Sequence, residues 1–107
     1  MKNISLEQLT VETFSRLLNF RFRIYADTVK TLEAELTEVT RGHAVANTKG
    51  EYFSLLFNVP GHPILPQGIY CFELEELGRF ELFIVPVGQN QSGTQYQAVF
   101  NRLVKSS

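Results

Sequence analysis

The sequence predicts a mainly β protein: a six-stranded antiparallel barrel-like meander, or a sandwich curled tightly enough to resemble one, with one short N-terminal helix. Three observations carry that prediction. Apolar residues recur at every second position along most of the chain. The stretches so patterned are parted by short clusters rich in Gly, Pro, Asn and Glu. The apolar choice leans on nine Phe and four Tyr against one Met and no Trp, and aromatic residues suit a pleated surface. The periodicity runs from Phe14 to Leu103 without a long linker, repeat or low-complexity tract, so residues 1–107 are expected to form a single β-rich domain, a length ample for one core.

The helix comes first. Thr10 is suited to cap the amides of Glu12 or Thr13, Glu12 falls in the first turn, and Phe14, Leu17 and Leu18 share a face, with Asn19 as a left-handed terminator. About two turns are expected. From Phe20 the period changes to two: Phe20, Phe22 and Ile24 alternate with Arg21, Arg23 and Tyr25, giving a half-buried strand. A second strand follows in which Leu32, Ala34 and Leu36 alternate with Thr and Glu. A loop over Ala26 to Lys30 pairs Phe22 with Ala34 and Ile24 with Leu32, and it also sets Arg23 opposite Glu33 and Arg21 opposite Glu35, so charge and hydrophobicity select one register. Val39 breaks the alternation, and a bulge near Thr37 or Glu38 would return it to the core side.

The third strand is Tyr52 to Val59, closed by Pro60. The stretch Pro60 to Gly68, with three prolines and two glycines, is expected to be a stiff loop. A second hairpin sets Tyr70, Phe72 and Leu74 against Phe80, Leu82 and Ile84 across a turn at Glu75 to Gly78, with Gly78 in a left-handed bulge position. Pairing Phe72 with Phe80 places Glu73 opposite Arg79, whereas a two-residue slip would oppose Glu73 to Glu81. The sixth strand is Tyr96 to Leu103, reached through a mobile polar loop at Gln89 to Thr94, and Ser106 and Ser107 are expected to fray.

Composition excludes several classes of partner. A formal net charge of -1 generates no field that would draw the protein to nucleic acid or an anionic membrane. The longest apolar candidate, Leu82 to Val87, contains Pro86 and falls far short of the ~20 residues of a membrane helix. The opening Met1 to Gln8 has no apolar run and is not expected to be a secretory signal. Cys71 is the single cysteine, which rules out an intramolecular disulfide and points to a reducing compartment, hence a cytoplasmic location.

The search for chemistry returns no catalytic, cofactor-binding or metal-ligating residue. His43 and His62 fall in expected loops with no cysteine or second histidine at ligand spacing, and are expected to be surface side chains. Cys71 lies mid-strand with no histidine beside it, as a packed thiol does. Glu73, Glu75 and Glu76 flank a turn and are expected to be solvated charges, not an acid–base pair. There is no Gly-x-Ser-x-Gly elbow and no glycine-rich loop opening a helix. Phe20 to Tyr25 interleaves aromatics with arginines, the composition of single-strand nucleic-acid binders. Its alternation, however, sends rings and guanidiniums to opposite faces, where Glu33 and Glu35 neutralise Arg21 and Arg23.

One feature resists a purely structural account. Leu56, Ile69, Phe83, Val85 and Val99 all fall on the face opposite the core. In the registers above Ile69 meets Phe83, and Phe83 can also oppose Val99, so these residues form one apolar strip centred on Phe83. Either the helix face of Phe14, Leu17 and Leu18 covers it, or it is the interface for a partner or a second copy.

Phe53-Ser54-Leu55-Leu56-Phe57, Leu65-Pro66-Gln67-Gly68-Ile69-Tyr70, Leu77 to Val87 and Tyr96 to Arg102, together with the opening Leu6 to Thr10 and Phe14, span nearly the whole chain. In combination they resemble a bacterial family of small proteins described only as a domain of unknown function. The resemblance brings no catalytic residues with it. Similar members accompany phage-tail-collar-like proteins, which implies an accessory or assembly role. The expected function is therefore a non-enzymatic interaction or assembly domain contacting a protein partner or itself. The alternative is a small barrel binding a small ligand or single-stranded nucleic acid through aromatics and Arg21 or Arg23.

Overall fold

The computed structural model describes residues 9–42, 50–61 and 65–103. A helix, α1 (Val11–Ser15), precedes six strands: β1 (Arg21–Tyr25), β2 (Thr31–Arg41), β3 (Gly50–Val59), β4 (Gly68–Leu74), β5 (Gly78–Asn90) and β6 (Gly93–Leu103). They close into an antiparallel barrel in the order β1-β2-β3-β6-β5-β4. Hairpins join β1-β2-β3 and β4-β5-β6 in sequence, and the two three-stranded halves seal through β3–β6 and β4–β1. The seals are unequal, with ten residue pairs from Gly50↔Leu103 to Val59↔Thr94 in one and three from Arg23↔Glu73 to Tyr25↔Cys71 in the other.

The hairpin registers follow the patterning. Phe22 pairs with Ala34, Ile24 with Leu32 and Arg23 with Glu33. The second hairpin sets Phe72 opposite Phe80 and Glu73 opposite Arg79, turning at Gly78 with a φ of 106°. The β2–β3 register shifts between Leu36 and Glu38, the expected bulge, and Val39 packs against the core. The helix is capped as its sequence requires, with the Thr13 amide donating to Thr10 Oγ1 at 3.1 Å, and Asn19 adopts a left-handed φ of 71°. The helix spans five residues, and Leu18 faces outward while Phe14 and Leu17 are buried.

Residues 89–94 depart from expectation. The sequence there suggests a mobile loop, but β5 continues to Asn90 and β6 begins at Gly93, leaving a tight two-residue turn. The pairs Gly88↔Gln95, Gln89↔Thr94 and Asn90↔Gly93 hold it, after a second register shift between Pro86 and Gly88. Gln89 Nε2 also donates to Thr94 Oγ1 at 3.2 Å. Pro86 is tolerated mid-strand because the β4 ladder ends at Ile84, leaving that edge with no amide to supply. His43, His62, Ser106 and Ser107 lie outside the described residues.

Alternation sends the aromatics inward. Phe14, Phe22, Phe53, Phe57, Phe72, Phe80 and Phe100 are all buried and form a connected set of rings, from stacked Phe53–Phe100 at 4.4 Å to edge-on Phe22–Phe57 at 5.5 Å. Such pairs add to the area term. Phe14, delivered by α1, touches Phe53, Phe80 and Phe100 with centroids 5.7–6.1 Å apart. The helix therefore plugs the barrel and does not cover its outside. Tyr96, fully buried, accepts the Leu65 amide at 3.0 Å and ties the β3–β4 connection to β6.

Candidate functional site

The outside of the barrel is divided by charge. On β1, β2 and the turn end of β4 and β5, alternation directs Arg21, Arg23, Glu33, Glu35, Glu73 and Arg79 outward. On β3, β6 and the remainder of β4 and β5, the outward positions named here are apolar or polar without charge: Ser54, Leu56 and Asn58, then Gln95, Gln97 and Val99, then Phe83 and Val85 beside Ile69. Glu38, opposite Leu56, and Glu81, opposite Cys71, border this uncharged face.

All five residues of the apolar strip predicted from the sequence lie on that face. Ile69 pairs with Phe83, Leu56 and Val85 each pair with Gln97, and Val99 pairs with Ser54. Ile69 and Val99 are each 66% exposed and Phe83 is 52% exposed, with Val87 equally open beside them. Leu56 and Val85 are half-buried. With α1 inside the barrel, no described element covers the strip. Two shallow clefts meet at Val99: one of about 230 Å³ beside Phe83 and Asn101, and one of about 300 Å³ beside Tyr52, Ser54 and Gln97.

The charged side holds a third cleft, of about 330 Å³, lined by Arg21, Arg23, Glu33, Glu73, Glu75 and Glu76. Glu75 and Glu76 are solvated as expected, but Glu73 is not: it is 8% exposed. Tyr25 Oη donates to its Oε1, Arg23 Nη1 lies 3.4 Å from the same oxygen, and Arg79 Nε approaches Oε2 at 3.4 Å. Arg79 also lies over the Tyr25 ring, 5.3 Å from its centroid. The Tyr25 hydroxyl, and after it Arg79 and Arg23, hold the Glu73 carboxyl below the usual carboxylate range. Arg21 lies 3.9 Å from Glu33. With Arg23 committed to Glu73, the cleft offers no unopposed pair of guanidiniums for phosphate.

Burial, the leading influence, pushes the Cys71 thiol up and disfavours the nucleophilic thiolate. Among the described residues, no three His, Cys, Asp or Glu side chains are grouped to hold a metal ion, and no helix is long and apolar enough to cross a membrane. Sequence reasoning missed the burial of Glu73. Its signal was the pairing with Arg79 together with Tyr25 and Arg23 on a strand whose neighbour across the seam was not yet known.

A family model described as Domain of unknown function (DUF6916) matches residues 9–100, from the residue before the helix cap to the Phe100 that packs on Phe14. The chain belongs to that family. The DUF6916 match covers α1, all of β1 to β5 and most of β6, and so includes the Phe14 plug, the β1–β4 seal, seven of the ten β3–β6 pairs and the five residues of the apolar strip. No curated protein and no solved structure matches the chain.

Proposed function

We propose that this protein is a non-enzymatic interaction or assembly domain whose working surface is the uncharged face centred on Phe83. The observation that carries the reading is the exposure of Ile69, Phe83 and Val99 on a face whose charges are confined to its borders, at Glu38 and Glu81, while seven other Phe fill the interior. Depletion of charge around aromatic and aliphatic side chains is the compositional mark of an interface core. Water meets that apolar area unless a partner covers it. The aromatic filling favours a role borne by the outer surface over one that needs a ligand inside the barrel. The single Cys71 fits a reducing, cytoplasmic setting. A link to phage-tail-like proteins, implied by the family resemblance, would make the domain an accessory of an assembly.

The test is affinity capture from source-cell lysate with the wild type, Phe83→Glu and Ile69→Glu, using Glu76→Gln on the charged side as control. Both face variants should stay folded, with stability within about 0.5 kcal/mol of the wild type, as exposed substitutions usually do. A partner retained by the wild type and Glu76→Gln but lost with both face variants is the expected result. An unchanged capture profile, or unfolding of both variants, would remove the reading.

A further inference from the structure

Among the described residues, the ladder between β5 and β6 runs from Asn90↔Gly93 to Val85↔Gln97 and stops there, although β5 extends back to Gly78 and β6 on to Leu103. Over that stretch each strand is held on its other side, Gly78–Ile84 by β4 and Ala98–Leu103 by β3. The cleft of about 230 Å³ opens between them, with Glu81 and Phe83 on one wall and Val99 and Asn101 on the other. Phe14 supports it from inside, its ring 6.1 Å from Phe80 and 5.7 Å from Phe100. A strand paired on one side directs every second N–H and C=O away from its neighbour. The β5 edge from Arg79 to Ile84 therefore presents such a row to the cleft.

We propose that this split receives an extended segment of another polypeptide, which adds a strand to the β5 edge between Arg79 and Ile84. The inference rests on the reading of the uncharged face as an interface and names the form of its partner. Backbone groups at a sheet edge recruit an extended chain, and side-chain pockets beside them select its residues. The occupant is an uncharged segment with apolar residues at alternate positions. Its outward side chains fall between Phe83 and Val99, and an acidic one would meet Glu81, the single charge on the walls. All six strands of a second copy are held in a closed barrel, so a copy would bring a folded sheet and not a free extended segment to the split.

The test begins with a displayed library of linear peptides of about ten residues, longer than a typical strand, selected on the immobilised protein. The tightest binder is then synthesised with each backbone amide N-methylated in turn. Affinities are measured against the wild type, Val99→Lys and Ile69→Glu, with thermal melts confirming that both variants fold. Strand addition is expected to give losses of about tenfold or more for methylation at every second amide and little at the intervening ones. Binding should vanish with Val99→Lys, and hydrogen exchange of alternate amides in residues 79–84 should slow when peptide is added. Binding that is lost with Val99→Lys or Ile69→Glu but is indifferent to methylation would overturn strand addition and leave the interface reading intact. A selection yielding no binder sensitive to either variant would overturn both.

Discussion

Glu73 shows how one side chain can compensate for a short seam. The β1–β4 seal has three residue pairs, and at its edge Tyr25 and Arg23 from β1 and Arg79 from β5 all converge on the Glu73 carboxylate. Because the folded state holds that carboxyl below its ordinary value of 4.5, the unfolded chain binds the proton more readily. The resulting stability is present above 4.5 and is lost as pH falls through the lower folded value. Glu73→Gln should therefore lower the melting temperature at pH 7, and its difference from the wild type should shrink as the pH falls through and below that window. A difference constant from pH 7 to pH 3 in thermal melts would refute this. The same residue marks a limit of sequence reading. Its pairing with Arg79 follows from local charge, but its burial depends on β1 reaching β4 across forty-eight residues of chain, a separation that leaves no local signature.

Among the elements, the hairpins were legible where two independent signals agreed. Alternation and opposite charges select the same register for β1–β2 and for β4–β5. The β5–β6 turn was misread because Gln, Asn, Ser and Gly are the residues of loops, whereas amide side chains also suit a strand face that carries no charge. Asn58 on β3 illustrates the point, accepting from Gln95 Nε2 on β6 and donating to Ser92 O in the β5–β6 turn. Gly93 is where this hairpin meets β3. Its φ is 142°, and a Cβ there would lie 2.1 Å from Val59 O. Gly93→Ala should cost about 2–4 kcal/mol, since strain and a backbone clash combine. Gly61 has a φ of 85° and open space around it, so Gly61→Ala should cost about 1 kcal/mol from strain alone. Chemical denaturation of the two variants measures the difference, and equal costs would show that the β3 contact carries no weight.

For the whole molecule, stability depends on filling a barrel from one end. Phe14 reaches three strands, and no other described residue outside the sheet contributes a ring to the core. Phe14→Ala should destabilise by about 3–5 kcal/mol, the cost of a large buried truncation. It should also raise hydrogen exchange in the strands around Phe80 and Phe100 before the rest of the barrel. A loss under about 1 kcal/mol would mean that the barrel closes without its plug. The strip at Ile69, Phe83 and Val99 was visible in the sequence as apolar residues on the wrong phase of an alternating pattern. Its exposure was not, because the sequence left the helix free to lie inside or outside.

The strand order has a consequence of its own. Replacing β1, β2 and β3 by β4, β5 and β6, and the reverse, leaves every neighbour relation in the barrel unchanged. Each half also carries one bulge where its second strand meets its third, at Thr37 and at Val87. The topology thus has an internal dyad, with two different sequences occupying the places of two identical subunits. Divided in the β3–β4 connection, the chain would become a heterodimer whose interface is the pair of seals, and its assembly would report on their combined strength as a concentration.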